Sequence, residues 1–306
     1  MSRVIEHSEH SYPVGGDPLG GADSLALIEP PTVRPAAQRS RGVRVVAAVV
    51  PPLVLAGCLV GVWFFAHHVW LSARRKFLIP PPTKVVRESY LKWDNTSTIL
   101  EGLVSTVRVA AIGLSISIAL GIAIAVLMSQ SKLIERAVFP LMVVVQATPI
   151  LALTPIIAIV LGTNQTSRVL VCVLITIFPI TLNTLYGLVS AEGGLHDLVT
   201  LHHGGRLTRL RKVMFPAALP LLFAGLRIAA GLSVIGAIVG DFFFGRGDVG
   251  LGQLMKRYSL NTNEIPLLYG TTLVAAALGV TVFLSFGALQ NAVIGKWHDS
   301  RSGGGH

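Results

Sequence analysis

The sequence has little charge and little cysteine. Asp, Glu, Lys and Arg make up 13% of its 306 residues, whereas a soluble domain averages about 25%. The mean hydropathy is +0.67. This composition excludes an ordinary water-soluble domain and predicts a membrane protein. The two cysteines, Cys58 and Cys172, both lie inside apolar runs, which is typical of small buried side chains rather than of a disulfide framework or a metal site.

Motifs for nucleotides, metals and catalysis are also absent from the sequence. It contains no G-x-x-x-x-G-K-[ST] segment, so any ATP hydrolysis must occur on another chain. It contains no H-E-x-x-H segment, and its adjacent pairs His67-His68 and His202-His203 would point about 100° apart on a helix. We therefore predict no catalytic residue, no metal site and no cofactor.

The formal charge of +10 does not indicate a nucleic-acid partner. The basic residues lie between apolar runs, and no nucleic-acid-binding motif occurs. Six of these runs are long enough to cross a bilayer, which takes about 20 residues. Backbone groups in lipid must be satisfied internally, so the runs are helices. We predict an all-α membrane protein with six transmembrane helices, at residues 43–70, 103–128, 139–161, 167–189, 217–244 and 268–294.

The ends of the chain differ in composition from this transmembrane domain, which occupies residues 43–297. Residues 1–42 are rich in Gly and Pro and show no apolar periodicity, which predicts a disordered cytoplasmic tail. Residues 298–306 form a short C-terminal tail. An even number of spans places both termini on one side, which holds 13 Lys and Arg residues against 10 on the other. The positive-inside rule therefore predicts that both termini are cytoplasmic.

Two of the charged residues inside the predicted spans, Arg227 and Asp241, are candidates for the translocation pathway. Buried ionisable groups in a membrane are costly, which makes Arg227 and Asp241 functional candidates. They are 14 residues apart on one predicted helix, or roughly 21 Å, so they do not form a simple pair. The alternative is structural: Asp241 at the membrane interface, and Arg227 bound to backbone carbonyls.

Polar residues beside prolines are further candidates for the pathway. Gln146 and Thr148 precede Pro149 in the third span, and Asn183 follows Pro179 in the fourth. Proline interrupts the helical hydrogen bonds, and freed carbonyls at membrane depth are tolerated where they line a cavity or are buried. The alternative is a kink that neighbouring helices satisfy.

A polar, basic loop separates the fourth and fifth spans at residues 190–216. Its apolar residues recur at steps of three or a multiple of three, which suits one stripe of a short amphipathic helix. These residues are Leu195, Leu198, Leu201, Leu207, Leu210 and Val213. Basic side chains fill much of the remaining loop. The pattern predicts a surface that docks on a partner.

Four segments resemble the membrane subunit of bacterial ABC importers of the binding-protein-dependent type. They are FLIPPPTKV from Phe77, FPITLNTLYGL from Phe178, RKVMFPAALPLLFAGLRIAAG from Arg211 and VIGAIVGDFFFGRGDVGLGQL from Val234. In the last segment Asp241 stands where many members have Glu. More narrowly, residues 60–297 resemble permeases for nitrate, taurine, aliphatic sulfonates and thiamine or pyrimidine precursors. The VIGAIVG segment favours the thiamine-precursor or riboflavin branch.

The resemblance also gives the loop a role, because the family carries a coupling helix there that sits in a cleft of the ATPase. Its signature is Glu-Ala-Ala, three residues and Gly. Counted back from Pro216, Asp197 takes the Glu place, Leu198 and Val199 the Ala places and His203 the Gly place. The implied ATPase-coupling residues are Asp197, Leu198, Val199, His203, Gly204, Arg206, Arg209 and Lys212.

The resemblance implies a permease in a bacterial plasma membrane with several partners. They are a separate ATP-binding ABC subunit, an extracytoplasmic substrate-binding protein, a second permease copy or a related permease, and membrane lipid. The alternative function is a stand-alone secondary transporter or channel. The shortage of intramembrane acids and the absence of an inverted repeat argue against that alternative.

Overall fold

The computed structural model describes residues 41–245 and 247–298, and these residues form helices with no β-strand among them. The eleven α-helices described are α1 Arg41–Phe65, α2 Pro82–Tyr90, α3 Trp93–Gln130, α4 Lys132–Ala147, α5 Ile150–Leu161, α6 Gln165–Val189, α7 Gly193–Leu201, α8 Arg206–Arg209, α9 Phe215–Phe243, α10 Leu251–Ser259 and α11 Ile265–His298. Short π-helical turns lie at Ala66–Trp70 and Leu210–Met214. The predicted tails lie almost wholly outside the described residues.

Contacts divide the chain into two units, residues 1–57 and 58–306. The described residues of the first unit are the N-terminal part of α1. The second unit holds the remaining helices. Among the described residues, five helical stretches are long and apolar enough to cross a membrane, or six if the bent pair α4 and α5 counts as one span. The predicted all-α membrane architecture is confirmed.

The predicted third span, residues 139–161, is broken rather than continuous. α4 and α5 meet at an angle of 97°. The break falls at Thr148 and Pro149, which both have extended backbone, because proline disfavours the helical conformation of the residue before it. The Thr148 hydroxyl donates a hydrogen bond to the Val144 carbonyl at 2.7 Å, which gives the end of α4 a local partner.

The core of the second unit is a bundle of α3, α6 and α9 held close by small residues. An added Cβ at Gly113 of α3 would lie 2.5 Å from the Cys172 sulfur, and one at Gly236 of α9 would lie 2.8 Å from the Cys172 Cα. Both helices therefore contact α6 around Cys172, which is fully buried. The same arrangement brings the N-terminal half of α3, the start of α6 and the end of α9 to one end of the bundle.

The short helix α2 packs against the start of α11. The Ser89 hydroxyl donates to the Pro266 carbonyl at 3.2 Å, and the Tyr90 hydroxyl donates to the Gly270 carbonyl at 2.8 Å. Prolines precede and begin α2, as expected for a helix start. α2, the start of α3 and α10 therefore lie at the same end of the bundle.

Candidate functional site

A buried ion pair joins α6 to α9. Arg168 Nη1 lies 3.3 Å from Asp241 Oδ1, and the two side chains are 2% and 0% exposed. Removing both charges from solvent is costly, so the arrangement requires good geometry and additional hydrogen bonds. Asp241 is thus a fully buried structural partner of Arg168.

Asp241 also connects α9 to α3 and α10. The Thr106 hydroxyl of α3 donates to Asp241 Oδ2 at 2.7 Å, and the Leu251 backbone N–H of α10 donates to the Thr106 hydroxyl oxygen at 2.9 Å. An added Cβ at Gly250 would lie 1.9 Å from Asp241 Oδ2. Glycine at 250 therefore lets the backbone approach the carboxylate.

Arg168 holds the segment between α9 and α10 with its other donors. Its Nε donates to the Phe244 carbonyl at 2.9 Å, and its Nη1 donates to the Asp248 carbonyl at 2.6 Å. We call Arg168, Asp241 and Thr106 the interlock. Through three side chains it ties together α3, α6, α9 and the start of α10.

Sequence reasoning missed two of these three residues. It gave no role to Arg168, which lies at the start of the predicted fourth span, and none to Thr106. A charge at the border of an apolar run was the available signal for Arg168. Its partner is 73 residues away in the sequence, so no local pattern identifies the pair.

The structure places Arg227 and Asn183 away from the interlock. The guanidinium of Arg227 lies over the Phe283 ring at 4.1 Å from its centroid, which is a cation–π contact between α9 and α11. Asn183 Nδ2 donates to the Pro179 carbonyl of its own helix at 2.8 Å. An added Cβ at Gly225 would lie 2.7 Å from the Asn183 Cβ, so Asn183 also packs against α9.

The remaining pathway candidates, Gln146 and Thr148, lie at the break between α4 and α5. Gln146 is exposed, and Thr148 is partly buried. Within the described residues neither makes a hydrogen bond or ion pair with Arg227, Asn183 or Asp241. Among the described residues no group of three His, Cys, Asp or Glu side chains is placed to hold a metal ion.

The loop between α6 and α9 is divided rather than formed as one amphipathic helix. α7 ends before Gly204 and Gly205, and α8 begins after them. The apolar side chains of the loop differ in burial. Leu198 and Leu201 of α7 are 53% and 76% exposed, whereas Val213 is 8% exposed. Only the end of the predicted stripe packs into the bundle, so α7 presents apolar surface outward.

α7 ends in a Schellman motif. The Gly204 N–H donates to the Val199 carbonyl at 2.8 Å, and the His203 N–H donates to the Thr200 carbonyl at 3.0 Å. This motif needs a left-handed residue, which is usually glycine, and His203 fills it with φ of 51°. His203 therefore occupies a position that favours glycine.

The next residue, Gly204, meets a different constraint. An added Cβ would lie 2.6 Å from Val199 Cγ1 and 3.0 Å from the Val199 carbonyl oxygen. At the end of a helix one glycine often provides both a left-handed backbone and room for close packing. Here two consecutive residues provide one each. His203 carries the left-handed backbone, and Gly204 permits close packing on α7.

This division of roles predicts opposite effects at adjacent positions. His203→Gly should relieve left-handed strain and stabilise the loop by up to about 1 kcal/mol. Gly204→Ala should destabilise it by about 1–3 kcal/mol, because the new methyl group meets Val199. Hydrogen exchange of the backbone amides of α7 measures both changes. Gly205→Ala is the matched control, since its Cβ meets nothing within 4 Å. Equal exchange in all three variants would contradict the assignment.

The basic residues of the loop also separate into two groups. Arg209 Nη2 donates to the Thr200 hydroxyl at 3.0 Å, so Arg209 braces α8 against α7. Arg206, Arg211 and Lys212 are exposed. The exposed group, together with the exposed leucines of α7, forms a surface of mixed basic and apolar character.

Comparison with known proteins relates most of the helical domain to transport proteins. Residues 117–297 match the family described as binding-protein-dependent transport system inner membrane component. A formylaminopyrimidine transport permease protein of Halalkalibacterium halodurans is 33% identical over 74% of this chain and 90% of its own length. A riboflavin transport system permease protein of Chloroflexus aurantiacus is 32% identical over 78% and 87%.

A solved structure has the same fold. The crystal structure of an amino acid ABC transporter with histidines superposes with a TM-score of 0.51 at 18% identity, covering 65% of this chain and 94% of that chain. At this identity the likeness concerns the fold alone.

Proposed function

Because this chain belongs to the binding-protein-dependent transport system inner membrane component family, we propose that a separate ATPase subunit docks on its loop between α6 and α9. The chain is a permease subunit of an ABC importer, a membrane-embedded transport component rather than a catalyst. Membership in the family implies an ATPase partner and a substrate-binding partner. The stand-alone transporter or channel is not supported.

The observation that carries the docking proposal is a continuous helical path from the loop to the interlock. Residues Arg206–Phe243 run through α8, the π-helical turn and α9 as one stretch of 38 residues, about 57 Å long at helical rise. Its first turns carry exposed Arg206 and Lys212, and near its end lies Asp241. A displacement at the loop would therefore move the interlocked ends of α3, α6 and α10.

The proposed coupling surface also includes residues of α7, and contact with an ATPase subunit requires that its side chains be accessible. Asp197 and Leu198 of α7 are exposed, and Val199 is partly buried against Gly204. In the importer cycle, closure of the ATPase pair on ATP would push this surface. α9 would transmit the motion to the opposite end of the bundle, and the access of the pathway would change sides.

We further propose the orientation and assembly that this cycle requires. Both termini and the α6–α9 loop face the cytoplasm, whereas α2, α10 and the interlock lie at the extracytoplasmic end. The count of basic residues supports this orientation. A second copy or a related permease completes the pathway, with membrane lipid around the exposed apolar helix faces.

The solute proposed for this importer is a small polar heterocycle of the formylaminopyrimidine or riboflavin type. Two relatives that are more than 30% identical over most of their length carry those names. Nitrate and alkanesulfonates are the competing solutes, because the sequence also resembles permeases for them.

Reconstituted uptake tests this proposal. Proteoliposomes holding the permease, its ATPase and its binding protein should accumulate a formylaminopyrimidine or riboflavin when ATP is supplied, and not without it. Nitrate and methanesulfonate are measured in parallel. Accumulation of either anion, with no uptake of the heterocycles, would contradict the proposed solute while leaving the permease role intact.

A further inference from the structure

A cavity of about 550 Å³ lies between the N-terminal half of α3 and α10. Its volume is within the range of small-molecule sites, roughly 300–1,000 Å³. Apolar walls come from Leu100 and Val104 of α3, from Val249 and from Leu254 of α10. The cavity lies at the end of the bundle that holds the interlock, and the pathway candidates from the sequence do not line it.

Charged groups of both signs line this cavity. Glu101 and Arg108 come from α3, and Arg257 comes from α10. Within the described part of the chain, neither Glu101 nor Arg257 has an ion-pair partner within 4 Å. Arg108 has only a long contact with Asp248, at 3.9 Å, and the two side chains are 65% and 73% exposed. An exposed contact of this kind contributes little, so these groups are available to a ligand.

A smaller cavity of about 130 Å³ extends this space toward the interlock. The two cavities share Ser105, Arg108 and Asp248, and the smaller one also reaches Arg168. Asp248 is the link between the two, because its carbonyl accepts from Arg168 at 2.6 Å and its carboxylate faces Arg108. A ligand that draws Arg108 away from Asp248 would act directly on the segment that the interlock holds.

The chemistry of the lining selects against a simple anion. Guanidinium groups bind carbonyl or anionic oxygens, whereas the carboxylate of Glu101 accepts hydrogen bonds from amino or N–H groups. An anion such as nitrate has only acceptors and would be repelled by Glu101 and Asp248. A flat heterocycle that bears both amino and carbonyl groups satisfies both signs, and its ring faces suit the apolar walls.

We propose that this cavity is a solute-binding subsite of the permease, in which Glu101 accepts from the amino or N–H groups of a heterocycle and Arg108 and Arg257 donate to its carbonyl oxygens. The proposal rests on the proposed function, since it assigns that importer's solute to a place on this chain. It places the solute's first contact with the permease beside the interlock rather than in the middle of the bundle.

Direct binding tests the subsite without the binding protein. The purified permease–ATPase complex in lipid nanodiscs is titrated with riboflavin, followed by flavin fluorescence, and with a formylaminopyrimidine, followed by calorimetry. Glu101→Gln and Arg257→Gln should each weaken binding of the transported heterocycle by roughly 10- to 100-fold, since each removes a charge-assisted hydrogen bond. Asp94→Asn and Lys256→Gln are matched controls on the same two helices, and neither residue lines the cavity.

The uptake assay separates failure of the subsite from failure of the proposed solute. Heterocycle uptake with an unchanged KM in both Glu101→Gln and Arg257→Gln would overturn the subsite and leave the proposed function standing. Uptake of nitrate or methanesulfonate alone would overturn both the subsite and the proposed solute. A loss of uptake that follows weaker docking of the binding protein, with heterocycle binding in nanodiscs unchanged, would also overturn the subsite. A KM raised about tenfold or more, with docking unchanged, supports it.

Discussion

An Asp241→Asn variant is expected to lose about 3–5 kcal/mol of unfolding free energy, the usual cost of breaking one partner out of a buried ion pair. The substitution keeps the shape of the side chain but removes the charge that faces Arg168, whose side chain is 2% exposed. Denaturant titration of the purified permease in detergent micelles measures the loss. Less folded permease should also be recovered from membranes.

A nearby carboxylate provides the matched control. Asp248 lies in the same segment of the chain, but its side chain is 73% exposed and 3.9 Å from Arg108. Asp248→Asn should therefore change the unfolding free energy by less than about 1 kcal/mol. Equal losses for Asp241→Asn and Asp248→Asn would show that burial of the pair does not determine stability.

Arg168→Met extends the same test, because Arg168 also donates to two backbone carbonyls. The variant also removes the donors to the Phe244 and Asp248 carbonyls. The buried Phe244 carbonyl, left unpaired, adds about 1–3 kcal/mol to the loss. The combined variant Arg168→Met with Asp241→Asn should lose about 2 kcal/mol less than the sum of the single losses, since the residues are in contact.

The spans of this protein could be predicted from its sequence because each is defined locally. Runs of apolar residues long enough for the bilayer gave the bounds of α6, α9 and α11 to within four residues, whereas α3 begins ten residues before the predicted span. The break between α4 and α5 was also signalled, since Pro149 restricts Thr148 whatever surrounds it. The 97° angle between α4 and α5 was not signalled by the sequence, because it depends on how these helices pack against α6.

The interlock could not be predicted in the same way. The sequence identified Asp241 as unusual, but a buried charge says nothing about which distant helix supplies its partner. Arg168 begins an apolar run and was given no role, and only the packing of α6 on α9 buries it. The loop shows the converse case, since the three-residue spacing suggested one helix, whereas Gly204 and Gly205 end α7.

Reversing three exposed charges of the loop, with Arg206, Arg211 and Lys212 replaced by Glu, is expected to weaken binding of the ATPase on the order of 100-fold at low salt. Each reversed contact removes up to about 1 kcal/mol of binding free energy. Three such contacts together lower the affinity by close to two powers of ten. Arg209 is left unchanged because it braces α8 on α7 through Thr200. Co-purification and surface-binding measurements of the ATPase on nanodiscs quantify the loss, which should shrink as salt screens the charges.

The matched control reverses three exposed bases at the other end of the bundle. Lys84 and Arg87 of α2 and Lys92 beside it are all exposed. Replacing these three with Glu changes the net charge by the same amount as the loop variant does. If both termini are cytoplasmic, this variant binds the ATPase normally, because α2 lies on the extracytoplasmic side. Loss of ATPase binding in the α2 variant, with normal binding in the loop variant, would reverse the orientation and remove the coupling role from α7 and α8. Equal binding by both would mean that charge does not hold the ATPase, leaving the exposed leucines of α7 as the contact to test.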